Sequence, residues 1–211
     1  MPCHFVHNKN ISPPIFENKF FDYFSRVHFS IVLIVYVPVV CWFLYQSVYN
    51  YNLEFTIIIT LLLFGLFCWS IMEYTLHRFV FHYHPVSKAG KRIHFILHGV
   101  HHDFPSDSRR LVMPPGASIP LAVVIWYACY GIFGSIYVAP FFSGFVTGYI
   151  IYDMSHYAVH HLNYKNKLFQ TIKKHHMLHH YKDPKAGFGF TSKVWDQAFG
   201  TDFKRDGNKV I

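Results

Sequence analysis

Two long apolar stretches alternate with three polar ones. Residues 29–71 hold one charged side chain, Glu54, and are long enough for two helices of about 20 residues, the length that crosses a bilayer core. Tyr49-Asn50-Tyr51-Asn52 interrupts them and predicts a tight turn between antiparallel helices. Residues 117–152 hold no charged side chain and are short for two full crossings, so their helices are expected to be short or tilted, with Gly131 and Gly134 at the turn. In the middle polar block, the second apolar helix is expected to run on through Glu73, His77 and His82 until Pro85 ends it. Lys88 to Arg92 then read as a basic turn, and His94 to His102 as a further helix stopped by Asp103-Phe104-Pro105. Beyond residue 152 the last apolar helix continues through Asp153, His156 and His160. Lys173 to Tyr181 reads as a helix, and Gly187-Phe188-Gly189-Phe190 as an irregular lid or docking segment. Residues 1–28 are polar and irregular, broken at Pro13-Pro14. The two halves echo each other: hairpin, histidine pair, histidine triplet.

This pattern predicts an all-α integral membrane protein, with four transmembrane helices in two hairpins at about 29–72 and 117–153. A cytosolic helical cap is expected from 73–116 and 154–211, preceded by an N-terminal cytosolic segment, 1–28. Charge supplies the orientation. No Lys or Arg occurs between Val27 and His77 or between Leu111 and Tyr164, so every basic residue falls on one side of two hairpins. The positive-inside rule makes that side the cytosol and places both termini there. Composition agrees, at 52% apolar and 14% charged. The net charge of +8 therefore reads as membrane orientation rather than nucleic-acid binding. The four cysteines (Cys3, Cys41, Cys68 and Cys129) are dispersed and form neither a disulfide framework nor a thiolate motif. No signal peptide is expected at the N-terminus.

Seventeen histidines are present, and ten fall into four clusters: His77-x4-His82, His98-x2-His101-His102, His156-x3-His160 and His176-x2-His179-His180. At 3.6 residues per turn, positions i, i+3 and i+4 share a helix face. The triplets and the His156/His160 pair can therefore each converge. His77 and His82, five apart, diverge unless their helix distorts. Ten imidazoles are too many for one ion and suit two, and all-imidazole ligation is compatible with Fe, Zn, Cu or Ni. Glu73 and Asp153 precede the two pairs by about one turn, where each could accept a hydrogen bond from a ligand's second nitrogen. His4, His7 and His28 are expected on the surface; His84, His94, His161 and His175 at the surface or behind the ligands. The clusters sit beyond the predicted spans, whereas a metal transporter would place ligands near the bilayer midplane.

The stretches Glu73 to His82, His98-Gly99-Val100-His101-His102, Arg110-Leu111-Val112-Met113-Pro114-Pro115, Tyr152 to His156 and His176 to Lys182 resemble the fatty acid hydroxylase superfamily. Gly187-Phe188-Gly189-Phe190-Thr191-Ser192 followed by Trp195-Asp196 narrows the resemblance, over about residues 50–203, to the sphingolipid fatty acid 2-hydroxylases. The resemblance implies that the ten clustered histidines ligate two irons, which zinc can replace in purified protein. It further implies O2-dependent hydroxylation at C2 of a long acyl chain destined for, or already in, ceramide, in the endoplasmic reticulum membrane. Electrons would come from cytochrome b5 and its reductase. Because only short polar sequence precedes the first apolar run, a separate cytochrome b5 is expected to dock on the basic face. Arg109, Arg110 and nearby lysines are candidates for the substrate's polar head or anionic lipid, or are simply orientation charges. A desaturase or sterol oxidase on the same scaffold is the nearest alternative, and a non-catalytic metal-binding or transport protein a more distant one.

Overall fold

The structure is a computed structural model, described here for residues 6 and 8–203. It is helical, with no strand among the described residues. A short helix, α1 (Lys19–Phe24), is capped by Asn18, whose side chain accepts the Phe20 N–H. It precedes α2 (Ser30–Tyr45), which runs unbroken through Pro38 and ends in a π turn, Gln46–Asn50. The chain reverses at residues 51–54, with Asn52 at φ 47°. It returns as α3 (Phe55–Thr75), which continues as a second π turn, Leu76–Phe81. Next come α4 (Lys88–His94), a third π turn at Phe95–Gly99, and α5 (Val100–Asp103). Ser87 caps α4, so Lys88 to Arg92 belong to this helix rather than to the expected basic turn: a serine hydroxyl can accept the Gly90 N–H that no carbonyl reaches.

The long α6 (Pro115–His161) would extend about 70 Å if straight, more than twice a bilayer core. It is not straight. Gly134 has φ 70° and ψ 177°, a conformation that suits glycine. Trp126 and Phe142, 16 residues apart, have ring centroids within 5.1 Å. Phe133 stacks on Phe141 at 4.3 Å. The element is thus two apolar legs folded back at Gly134, while Gly131 stays helical. Three helical stretches, Ser30–Asn50, Phe55–Phe81 and Pro115–His161, are long and apolar enough to cross a membrane. The last contains both legs.

Backbone contact sets the register of the bundle. A Cβ on Gly144 would lie 1.9 Å from the Leu62 carbonyl oxygen, and one on Gly65 would lie 2.1 Å from that of Phe141. Small residues allow this approach where apolar burial gives helices no drive to associate. One turn on, Gly148 faces Trp69. The helix α3 and the second leg therefore run parallel, and His77 arrives level with His156. The first leg lies along α2 in the same way: Tyr36 donates to Ser118 at 2.7 Å, and Phe43 stacks on Trp126 at 4.4 Å. Tyr36, Val138, Phe142, Val146 and Tyr149 fill the seam.

The described part of the N-terminal segment, residue 6 and residues 8–28, forms a strap bonded to the middle block. Val6 N–H reaches the Asp103 carbonyl, Asn10 accepts from Ser108, Ser12 bonds Asp107, and Val27 N–H reaches the Arg109 carbonyl. Arg110, considered above as a headgroup ligand, is buried and bonds Asp22 and the Pro13 carbonyl. It ties the strap down because a buried guanidinium needs fixed acceptors. Arg109 is exposed. The remaining helices are α7 (Lys167–Tyr181), six residues longer at its start than expected and capped by Asn166, and α8 (Val194–Ala198).

Candidate metal centre

The ten expected ligands form two groups of five. In each group the five ring nitrogens lie within 4.8 Å of one another. The first group is His77, His82, His98, His102 and His179; the second is His101, His156, His160, His176 and His180. Each triplet is split: α5 and the turn before it give His98 and His102 to one group and His101 to the other. Helix α7 gives His176 and His180 to the second group and His179 to the first. The π turn answers the five-residue problem. The His82 N–H bonds the His77 carbonyl at 3.1 Å, an i to i+5 bond that widens the turn until both rings face inward. A second such bond, Val100 N–H to Phe95, precedes α5.

Nitrogen spacing tests whether ions fit. His176 Nε2 lies 3.0, 2.9 and 3.0 Å from the Nε2 atoms of His156, His160 and His180. His156 Nε2 lies 3.0 Å from that of His101. In the first group, His98 and His102 are 3.0 Å apart, and His82 and His179 are 2.9 Å apart. A ring nitrogen carries at most one proton, so these crowded atoms cannot all satisfy one another. A cation at each focus satisfies them together. Nitrogens about 2.1 Å from one ion are about 3.0 Å apart when their bonds meet at right angles, and about 3.4 Å apart in a tetrahedron. The observed edges therefore fit five nitrogens around a cation with more than four positions. The ligand type, all imidazole, admits iron.

The rings are prepared to donate. Burial first, and then neighbouring imidazoles, hold His98, His101, His176, His179 and His180 well below the ordinary histidine pKa, and bring His102 down to about 3. They are neutral at physiological pH, with lone pairs available. The two groups abut: His102 stacks on His180 with centroids 4.2 Å apart.

Residues 187–190, expected to be an irregular lid or docking segment, form with Ala186 a buried collar. Phe188 packs on His77, His82 and His179, while Phe190 packs on His156 and His176. Asp196, fully buried, accepts the N–H groups of Phe188 and Gly189 at 2.8 Å each, and the Thr201 hydroxyl at 2.8 Å. Burial works to raise its pKa, but His175, Thr201 and the two N–H groups outweigh that and keep it ionised. Glu73 plays a different part from the one expected. It receives no ligand nitrogen, and instead accepts Phe190 N–H at 2.9 Å, Thr191 N–H at 2.8 Å and the Thr191 hydroxyl at 2.5 Å. Backbone N–H groups of the collar reach it because α3 passes beneath them. Asp153 is buried beside the Tyr149 hydroxyl and the Met113 N–H, again with no ring nitrogen bonded to it.

Of the other histidines, His28 and His84 are exposed, and His94 and His161 are half-buried. His175 stands behind Asp196 at 3.1 Å. His4 and His7, like Cys3, lie outside the described residues. Asp196 is a residue of the site that helical periodicity does not reveal; its signal in the sequence is the Trp195-Asp196 pair that follows the Gly187 to Ser192 stretch.

The family model for fatty acid hydroxylase matches residues 62–201. This chain belongs to the fatty acid hydroxylase family. Among relatives of this hydroxylase, a dihydroceramide fatty acyl 2-hydroxylase of Arabidopsis thaliana is 36% identical, over 90% of this chain and 79% of its own length. A ceramide very long chain fatty acid hydroxylase of Schizosaccharomyces pombe is 38% identical, over 90% and 55%. The fatty acid 2-hydroxylase of Homo sapiens is 34% identical, over 89% and 56%. A solved structure of full-length scs7p, in which only the hydroxylase domain is visible, has a TM-score of 0.84 at 33% identity, covering 90% of this chain and 72% of that one.

Proposed function

We propose that this chain is a membrane dimetal monooxygenase that hydroxylates C2 of long or very long acyl chains of sphingolipids of the ceramide type. The observation that carries the reading is the pair of five-imidazole foci at one end of an apolar bundle, in a chain whose relatives are named as 2-hydroxylases. The ten histidines would hold two iron ions, with zinc able to replace them. Bound iron and O2 supply the oxidising power that the imidazoles themselves lack.

This chain's own residues do the rest. Neutral imidazoles offer lone pairs without first losing protons. Phe188 and Phe190 wall the centre against water on the collar side, and Glu73 and Asp196 hold that wall in place. The parallel packing of α3 on the second leg keeps His77 and His156 at one height. A bundle of four crossings, with both termini and the centre on the cytosolic side of the endoplasmic reticulum, puts the foci where an acyl chain emerges from the bilayer. In this reading residues 1–28 are an N-terminal cytosolic segment and 29–211 the hydroxylase domain. Basic residues of the cap would receive a separate cytochrome b5, fed by its reductase, in a salt-sensitive contact.

The test is reconstitution with cytochrome b5, its reductase, iron and candidate acyl lipids, with products read by mass spectrometry. The expected product is a 2-hydroxy acyl chain. A double bond or a hydroxylated sterol in its place overturns the assignment, and so does intact metal loading with no oxidised product. Cysteine labelling should find both ends of the chain on the cytosolic face; a luminal C-terminus would refute the four-crossing topology.

A further inference from the structure

The two five-histidine groups differ in what stands behind their rings. In the first, His77 Nδ1 donates to the Phe188 carbonyl at 2.6 Å, and His179 Nδ1 donates to the Ala186 carbonyl at 2.8 Å. Both carbonyls belong to the collar that Asp196 pins through Phe188 and Gly189. In the second group, the Nδ1 atoms of His101, His156, His176 and His180 are buried with no hydrogen-bond partner among the described residues. The Leu111 backbone lies close enough to His156 to work against the lowering of its pKa by burial, but no hydrogen bond closes on its Nδ1.

We infer that the two metal positions are unequal: the group of His77, His82, His98, His102 and His179 is the tight position that fills first, and the other is the weaker, exchangeable one. This rests on the reading of the ten histidines as ligands. A carbonyl acceptor on Nδ1 fixes the proton there and leaves the Nε2 lone pair facing the ion. It also fixes the ring's direction and raises its basicity. Loss of such a partner typically lowers metal affinity by about 10- to 100-fold. The protein supplies two of these partners to one group and none to four rings of the other. Solvent reach does not offset this difference, because each group has one half-buried member, His82 in the first and His160 in the second. Asp196 is then a positioning residue for one metal position, acting through the collar.

The experiment strips the purified full-length protein of metal in detergent and titrates it with Zn2+ against a competing chelator. Two steps, separated by about 10-fold or more, are expected. His160→Ala should remove the weak step and leave the tight one; His82→Ala should do the reverse. Asp196→Asn should weaken the tight step alone. Two steps of equal affinity, or a tight step lost in His160→Ala but kept in His82→Ala, overturn the inference. If Asp196→Asn does not fold, the two histidine variants decide the matter alone. Fewer than two Zn2+ per chain in the unaltered protein would overturn the ten-ligand reading itself.

Discussion

The two halves of the candidate metal centre arrive at matching histidine sets by different backbone routes. Moving 78 residues along the chain takes His82 to His160, His98 to His176, His101 to His179 and His102 to His180. The same move exchanges the two groups in space, so each half gives two pairs to one focus and lends a single ring to the other. The helices follow suit, with α2 beside the first leg and α3 beside the second. The exception is the first member of each pair. His77 and His82 are five apart, while His156 and His160 are four apart. The first half takes up its extra residue in a π turn; the second keeps a regular helix. Ring position is what the chemistry constrains, and backbone hydrogen-bond register adapts to it.

The most severe way to break this correspondence is at its middle. His102 and His180 are equivalent members of opposite groups and stack on each other. Alanine at either should abolish 2-hydroxy product, measured by mass spectrometry on reconstituted protein. Full activity in either variant would remove that residue from the centre.

Next in size is the π turn itself. Deleting Phe79, which is exposed, would give the first half the spacing of the second. Removing one residue from a helix turns everything beyond it by about 100° and draws it back about 1.5 Å. His82 should then miss His179, and bound metal should fall from two ions per chain toward one, as read by elemental analysis. Retention of both ions would mean that the wide turn is incidental.

The seam between the halves gives a smaller effect. Gly144→Ala drives a Cβ into the Leu62 carbonyl, and overpacking of this kind costs about 1–3 kcal/mol. Gly131, in the same element, has open space around its Cβ position, and alanine there should be neutral or stabilising by up to about 1 kcal/mol. Thermal unfolding in detergent compares the two. Equal shifts would argue that the close crossing does not set the register.

The same contrast separates what residue order carries from what only the fold supplies. Apolar runs and the absence of Lys and Arg within them gave the hairpins, because lipid exposure acts on whole segments. The triplets and His156/His160 were legible because α-helical spacing is local. The fate of His77 and His82 was legible only as a condition, since i, i+5 converges only if the turn widens. Three things were out of reach. Glu73 and Asp196 act across 117 and 8 residues on collar N–H groups, which no helical period links. Arg110 looked like a surface charge because its partner Asp22 is 88 positions away. The inward face of the collar, read as a lid or docking segment, was out of reach because glycines and phenylalanines say nothing about which way a loop faces.

The smallest expected effect concerns how the halves are braced. His98, His101 and His102 stand on short helices that the strap crosses, whereas His156 and His160 are carried by α6. The strap's tie is Asp22, bonded by Arg26, by Arg110 at 3.1 Å and by the Ile15 N–H at 2.7 Å. Burial works to raise the Asp22 pKa, but the Ile15 and Phe16 N–H groups and then the two arginines outweigh it and leave it below its ordinary 3.8. A lowered folded pKa means that the unfolded chain takes up the proton first. The tie therefore contributes fully above about pH 5 and is lost as pH falls through the folded value. The buried imidazoles titrate in another window. Their folded pKa values lie below the ordinary 6.5, so metal-stripped protein should already lose stability as pH falls below about 6.5. Thermal unfolding of metal-loaded protein isolates the lower window. Asp22→Asn should reduce stability by on the order of 1–2 kcal/mol at pH 7 and flatten the further fall below pH 4. That corresponds to a Tm lower by roughly 2–8 °C at pH 7. A Tm profile that parallels the unaltered protein through pH 4 would show that the strap does not brace the first half through this carboxylate.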